Sequence, residues 1–139
     1  MPRRTCGGGL DAVPFKYINV VDTEFISKGG NQPDGVCLVV RELRSGETRR
    51  YWQDDLRKMA HPPFEIGSDS LFVAFAAQAE LSCFETWSWP SPANIVDQYA
   101  EFRVNTNGSR QKGSLLSALA LYNLPHMDAS LKDLSLIHI

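Results

Sequence analysis

The sequence predicts an α/β domain with a mixed central sheet that begins with three antiparallel strands and is flanked by helices. Two apolar runs dense in valine open the chain, and short connections join them to a third strand-like run. Helix-forming stretches then alternate with short strands. With 139 residues at 43% hydrophobic composition, the chain can bury one real core but not two ordinary ones.

Residues 1–14, which include Arg3, Arg4 and the glycines of CGGGL, read as a disordered tail. Residues 15–25 read as the first strand and GVCLVVREL as the second, since charge enters only at its end. RSGE at 44–47 is a turn signal from which TRRYW returns as the third strand. QDDLRKM forms a short helix starting near Gln53 or Asp54, and HPPF at 61–64 breaks the pattern. SLFVAF at 70–75 is a buried strand and AAQAELSCFETW a helix. WPSPAN interrupts with two prolines, IVD at 95–97 is a short strand and QYAEFRVN the next helix. After the polar loop TNGSRQKG, Ser114 caps the helix LLSALALYNL, which Pro125 ends. The last residues, DLSLIHI, are apolar, and two readings stand: a final short strand, or a truncated gene fragment, which we favour.

Fourteen basic residues against 16 acidic ones give a charge of -2, which argues against a basic nucleic-acid coat but not against a nucleic-acid enzyme with an acidic centre. Cys6, Cys37 and Cys83 show no C-x-x-C spacing, so neither a zinc knuckle nor a disulfide scaffold is suggested. A reduced, cytoplasmic setting away from membranes is expected, since neither a signal peptide nor an apolar segment of about 18 residues occurs. His61 stands apart from any acid with ligand spacing, CGGGL lacks the lysine of a phosphate loop, and no G-x-S-x-G is present.

Chemistry concentrates in YINVVDTEF. On a strand of period two, Asp22 and Glu24 leave one face while Thr23 points away. Two carboxylates on one patch repel unless something positive lies between them, and a divalent cation is the usual solution. An ordinary solvated strand end is the plainer alternative.

In order along the chain, VVDTEF, LFVAFAAQAELSCF, IVDQYAEFR and GSLLSALALYNL resemble the proofreading 3'-5' exonuclease domain of family A DNA polymerases, particularly phage-like ones, and more distantly ribonuclease D. The similarity runs from about residue 17 to about residue 127. The resemblance implies a ribonuclease H-like fold in which four acids hold two divalent cations, Mg2+ or Mn2+, roughly 3.5 to 4 Å apart. Asp22 matches as the bridging ligand and Glu24 as the residue orienting the water-bearing cation. Glu80 takes the opposite side, at a position where the family usually carries aspartate. Asp97 matches an aspartate that begins the following helix and reads as a positioning and capping residue.

The family's third motif, an aromatic or histidine followed four positions later by the last aspartate, has no match. Tyr122 and His126 have the spacing but end in histidine, and Asp128 lacks the context. The resemblance therefore makes residues 15–139 a partial exonuclease domain, weak or inactive alone, with its fourth acid and a polymerase domain expected downstream. Its substrate would be a single-stranded DNA 3' end, held by stacking and phosphate contacts. Phe25 could stack on a base, although strand alternation turns it inward to the core. Arg103, Arg110 and Lys112 could meet phosphate or simply be solvated, and Trp87 and Trp89 read as a core lid or anchor. The competing class is a catalytically silent ribonuclease H-like module that binds nucleic acid or serves as a structural unit, favoured by Glu80 and the absent fourth acid.

Overall fold

The elements form close to where the sequence pattern puts them in the computed structural model, which describes residues 9–27, 29–30, 32–107, 109 and 112–128. The strands are β1 (Tyr17–Ile26), β2 (Asp34–Glu42), β3 (Thr48–Trp52), β4 (Ser70–Ala74) and β5 (Ile95–Asp97). The helices are α1 (Gln53–Leu56), α2 (Ala77–Thr86), α3 (Gln98–Asn105) and α4 (Leu115–Leu121). One sheet runs in the order β3-β2-β1-β4-β5. β1, β2 and β3 pair antiparallel, whereas β4 and β5 join parallel to β1 and to each other. This is the mixed α/β sheet expected, with three antiparallel strands first and two parallel ones after. No helix among the described residues is long and apolar enough to cross a membrane.

The chain divides into two units, Met1–Asp97 and Gln98–Ile139. In the first, α2 lies on the sheet face to which Val21, Leu38, Val40, Phe72 and Ala74 point, and Phe84 and Cys83 complete that core from the helix side. Phe84 meets Phe72 and Trp89 edge-on, with centroids 5.7 and 5.2 Å apart, a geometry that suits the ring quadrupoles. Trp87 and Trp89 are core residues, and the indole N–H of Trp89 donates to the Met59 carbonyl at 2.8 Å. Cys83 is fully buried, and that burial pushes its thiol up to about 12.

Glu42 ties the antiparallel half together. Its Oε1 accepts from the N–H groups of Ile18 and Arg44, each at 3.1 Å, and its Oε2 accepts from Ser45 N–H at 2.7 Å. Desolvation alone would raise this carboxyl, but the N–H groups of Ser45, Arg44 and Ile18 outweigh it and hold the group at about 2. Ahead of β1, Arg44 donates to the carbonyls of Leu10, Val13 and Phe15 and anchors a 3-10 turn at Leu10–Ala12. Residues 9–14, expected as tail, are thus tied to the β2–β3 turn, while residues 1–8 lie outside the described residues.

The β1–β2 register shifts between Glu24 and Phe25: Glu24 faces Cys37, but Phe25 faces Gly35, so Val36 is the extra residue of a bulge. Beyond the bulge the Gly35 backbone runs against the Trp87 ring, and a Cβ there would collide with Trp87 Cζ2.

Helices α2 and α4 end in Schellman motifs closed by residues other than glycine. In α2, Ser88 takes φ 57, Trp89 N–H bonds to Phe84 O and Ser88 N–H to Glu85 O. In the second unit, Asn123 takes φ 53, with Leu124 N–H on Leu119 O and Asn123 N–H on Ala120 O. α4 therefore stops at Leu121, short of Pro125, while Ser114 Oγ caps its start as expected by accepting from Ser117 N–H at 3.1 Å. Phe102 of α3 is buried and lies edge-on to Tyr122 at 6.3 Å. The DLSLIHI ending lies outside the described residues.

Two stability changes of opposite sign follow, both readable as shifts in urea midpoint at constant slope. Gly35→Ala should cost roughly 1–3 kcal/mol, because the core-bound Trp87 must move; an unchanged midpoint would show that the ring yields freely. Ser88→Gly should gain about 1 kcal/mol by relieving left-handed strain, and a loss would contradict that account of the helix end.

Candidate functional site

Period-two alternation sets the first two acids. Asp22 and Glu24 are exposed on the outer face of β1, while Val21 and Thr23 are buried on the face that α2 covers. Glu24 stands opposite Cys37, whose thiol burial pushes up, with Glu24 and Asp22 adding to the rise and Arg50 opposing it.

The third acid comes from α2, whose start is held by a residue distant in sequence. Ala76, at φ 65, offers no side-chain cap. Instead the Asp97 carboxylate, at the end of β5, accepts from Ala76 N–H and Ala77 N–H at 3.1 Å each. A carboxylate at a helix N-terminus also meets the positive end of the helix dipole. Asp97 thus caps α2, a helix that precedes it in the chain, whereas its place in IVDQ suggested the helix that follows.

One turn into α2, Glu80 is only 4% exposed. Burial pushes its carboxyl up to about 8; Thr23 draws it back, and the charges of Asp22 and Glu24 raise it further. Thr23 Oγ1 and Glu80 Oε2 are both buried and unpartnered. Asp22, Glu24 and Glu80 therefore share one electrostatic field, with Glu80 on the Thr23 side of the strand. Among the described residues, no three His, Cys, Asp or Glu side chains lie close enough together to hold a metal ion.

The other residues singled out in the sequence distribute as follows. Phe25, whose strand position pointed it inward, is 39% exposed and outside the core cluster, which corrects the core assignment. It sits at the bulge, past the last β1–β4 pair at Val20, where the sheet no longer encloses it. Arg103 in α3 and Lys112 in the following loop are exposed in the second unit, and Arg110 lies outside the described residues. Thr23 is the neighbour of Glu80 that sequence reading missed. Its signal was present in the alternation: a hydroxyl between two outward acids must point into the interior, where a buried partner is needed.

Neither a protein-family model nor a curated protein matches the chain. Among solved structures it is similar to the crystal structure of the Aedes aegypti Nibbler EXO domain, at 13% identity and a TM-score of 0.47, covering 74% of this chain and 53% of that one. The chain spans about half the length of that structure.

The Glu80 shift has a definite sign. Its folded value of about 8 lies above the ordinary 4.5, so the folded state holds a proton that the unfolded state gives up. The resulting stability is fully present below 4.5 and is lost as pH rises through about 8. Glu80→Gln, neutral throughout, should remove a fall of a few kcal/mol between those limits in the metal-free protein. Parallel curves for parent and variant, followed by urea unfolding across pH, would contradict the assignment.

Proposed function

We propose that the chain is part of a metal-dependent 3'-5' exonuclease that hydrolyses phosphodiester bonds at DNA 3' ends, within a DNA polymerase whose polymerase domain lies elsewhere in the full-length protein. The observation that carries the reading is Glu80: a carboxyl buried without a counter-charge, its Oε2 unpartnered, in the field of Asp22 and Glu24. Evolution of a stable core alone would favour an apolar residue at such a position, because an unpaired buried acid costs free energy. A site for a divalent cation gives that oxygen a partner.

The donor chemistry fits Mg2+ or Mn2+, hard ions that take carboxylate oxygens. Asp22 and Glu24 would offer oxygens from the outer face of β1 and Glu80 from the Thr23 side, and the ions would have to draw the three together, since they are not gathered without metal. Two bound ions would supply a water of lowered pKa and steady the leaving 3' oxygen. The chain's own part is to keep Asp22 and Glu24 on one strand face and to fix Glu80 through the Asp97 cap on α2. Asp97 acts through the helix and so is a positioning residue.

A second reading, a catalytically silent module of the same architecture, is favoured by the absence among the described residues of a closed three-ligand cluster and by the preference of Glu80 for its neutral form near pH 7. Release of mononucleotides from a 3'-labelled single-stranded DNA in Mn2+ separates the two. Parent activity should fall at least roughly tenfold in both Asp22→Ala and Glu80→Ala. Activity equal in parent and variants would sink the site, and silence in a folded parent whose melting temperature does not respond to Mn2+ would favour the silent module.

A further inference from the structure

The sheet face that bears Asp22 and Glu24 continues onto β2 and β3. Residues paired across a sheet share a face, so the pairing puts Glu24, Cys37 and Trp52 in one row, Asp22, Val39 and Arg50 in the next, and Val20, Arg41 and Thr48 in the third. Two strand spacings, roughly 10 Å, separate Asp22 from Arg50 and Glu24 from Trp52. Arg41 and Arg50 are exposed, and neither makes an ion pair among the described residues, whereas Arg44, Arg49 and Arg57 all do. Trp52 is 57% exposed, in contrast to the buried Trp87 and Trp89. The electrostatic reach of both Glu24 and Arg50 to Cys37 agrees with this common face.

We propose that this outer face of β2 and β3 is the track for the single-stranded nucleic acid leading to the acids, with Arg50 and Arg41 on backbone phosphates and Trp52 stacked on a base. The inference rests on the exonuclease reading. Charge complementarity selects the occupant: cations next to an anion-rich site suit a polyanion whose end must approach those acids, and an exposed indole offers a sequence-tolerant stacking platform. β3 is the edge of the sheet, so a strand can reach this row from the side.

The test is anisotropy of a fluorescein-labelled oligo-dT titrated with the 139-residue chain in EDTA, which prevents hydrolysis, over a series of salt concentrations. Arg50→Gln and Arg41→Gln should each weaken binding and lower the salt slope by about 0.7. Trp52→Ala should weaken it roughly fivefold to a hundredfold with the slope unchanged, and Trp52→Phe should restore most of the loss. Lys16→Gln, ahead of the opposite end of β1, serves as the control and should leave affinity near that of the parent. A parent that binds while the folded variants bind equally would overturn the track and leave the exonuclease reading standing. An equal loss in Lys16→Gln would also overturn it, by showing attraction to charge anywhere on the surface. No binding by the parent would overturn the track and count against the exonuclease reading too, and a Trp52-dependent dimer in sedimentation would then assign the β3 edge to a second copy.

Discussion

The register of β1 is the constraint on which the rest depends, and the Glu42 carboxylate holds it. A strand slipped by one residue presents its other face, so a single step would bury Asp22 and Glu24 and expose Val21 and Thr23. Glu42 reaches across to Ile18 N–H at the start of β1 while binding two N–H groups of its own turn, and Leu43 N–H returns to Ile18 O at 2.9 Å. The hairpin and the central strand are therefore fastened at one point. The acids lie further along the strand, on the side that this fastening selects.

Helix α2 is fixed at both ends by different means. At its start the cap comes from β5, the neighbour of β4 in the sheet, so the helix begins only where the parallel half of the sheet is in place. At its end the Schellman turn through Ser88 folds Trp87 and Trp89 back against Phe84. Between these anchors Glu80 has little freedom to retreat into solvent. Its carboxyl stays buried with Oε2 unpartnered, carried there by a helix that is fixed at both ends.

Much of this was legible in the sequence. Strand and helix positions followed from the dense valine runs, the RSGE turn, the prolines of WPSPAN and the Ser114 cap, each a local signal with a local cause. The shared face of Asp22 and Glu24 followed from the strand period alone. What escaped reading was tertiary. Phe25 is exposed because of a bulge that depends on Gly35 meeting Trp87, some fifty residues away in the chain. Asp97 caps a helix that precedes it, and nothing in IVDQ reveals which helix it will serve. The end of α4 was misplaced because Pro125 marked where the helix must stop, whereas Asn123 had already turned it.

Cys83 carries a last consequence. Its sulfur, fully enclosed beneath α2 and held as the unreactive thiol, is invisible to alkylating reagents for as long as the helix stays seated. The rate at which it becomes labelled is then a clock for the opening of that helix, set by the protein itself without any engineered probe. Since Glu80 rides on the same helix one turn earlier, that clock also measures how long the third acid remains in place.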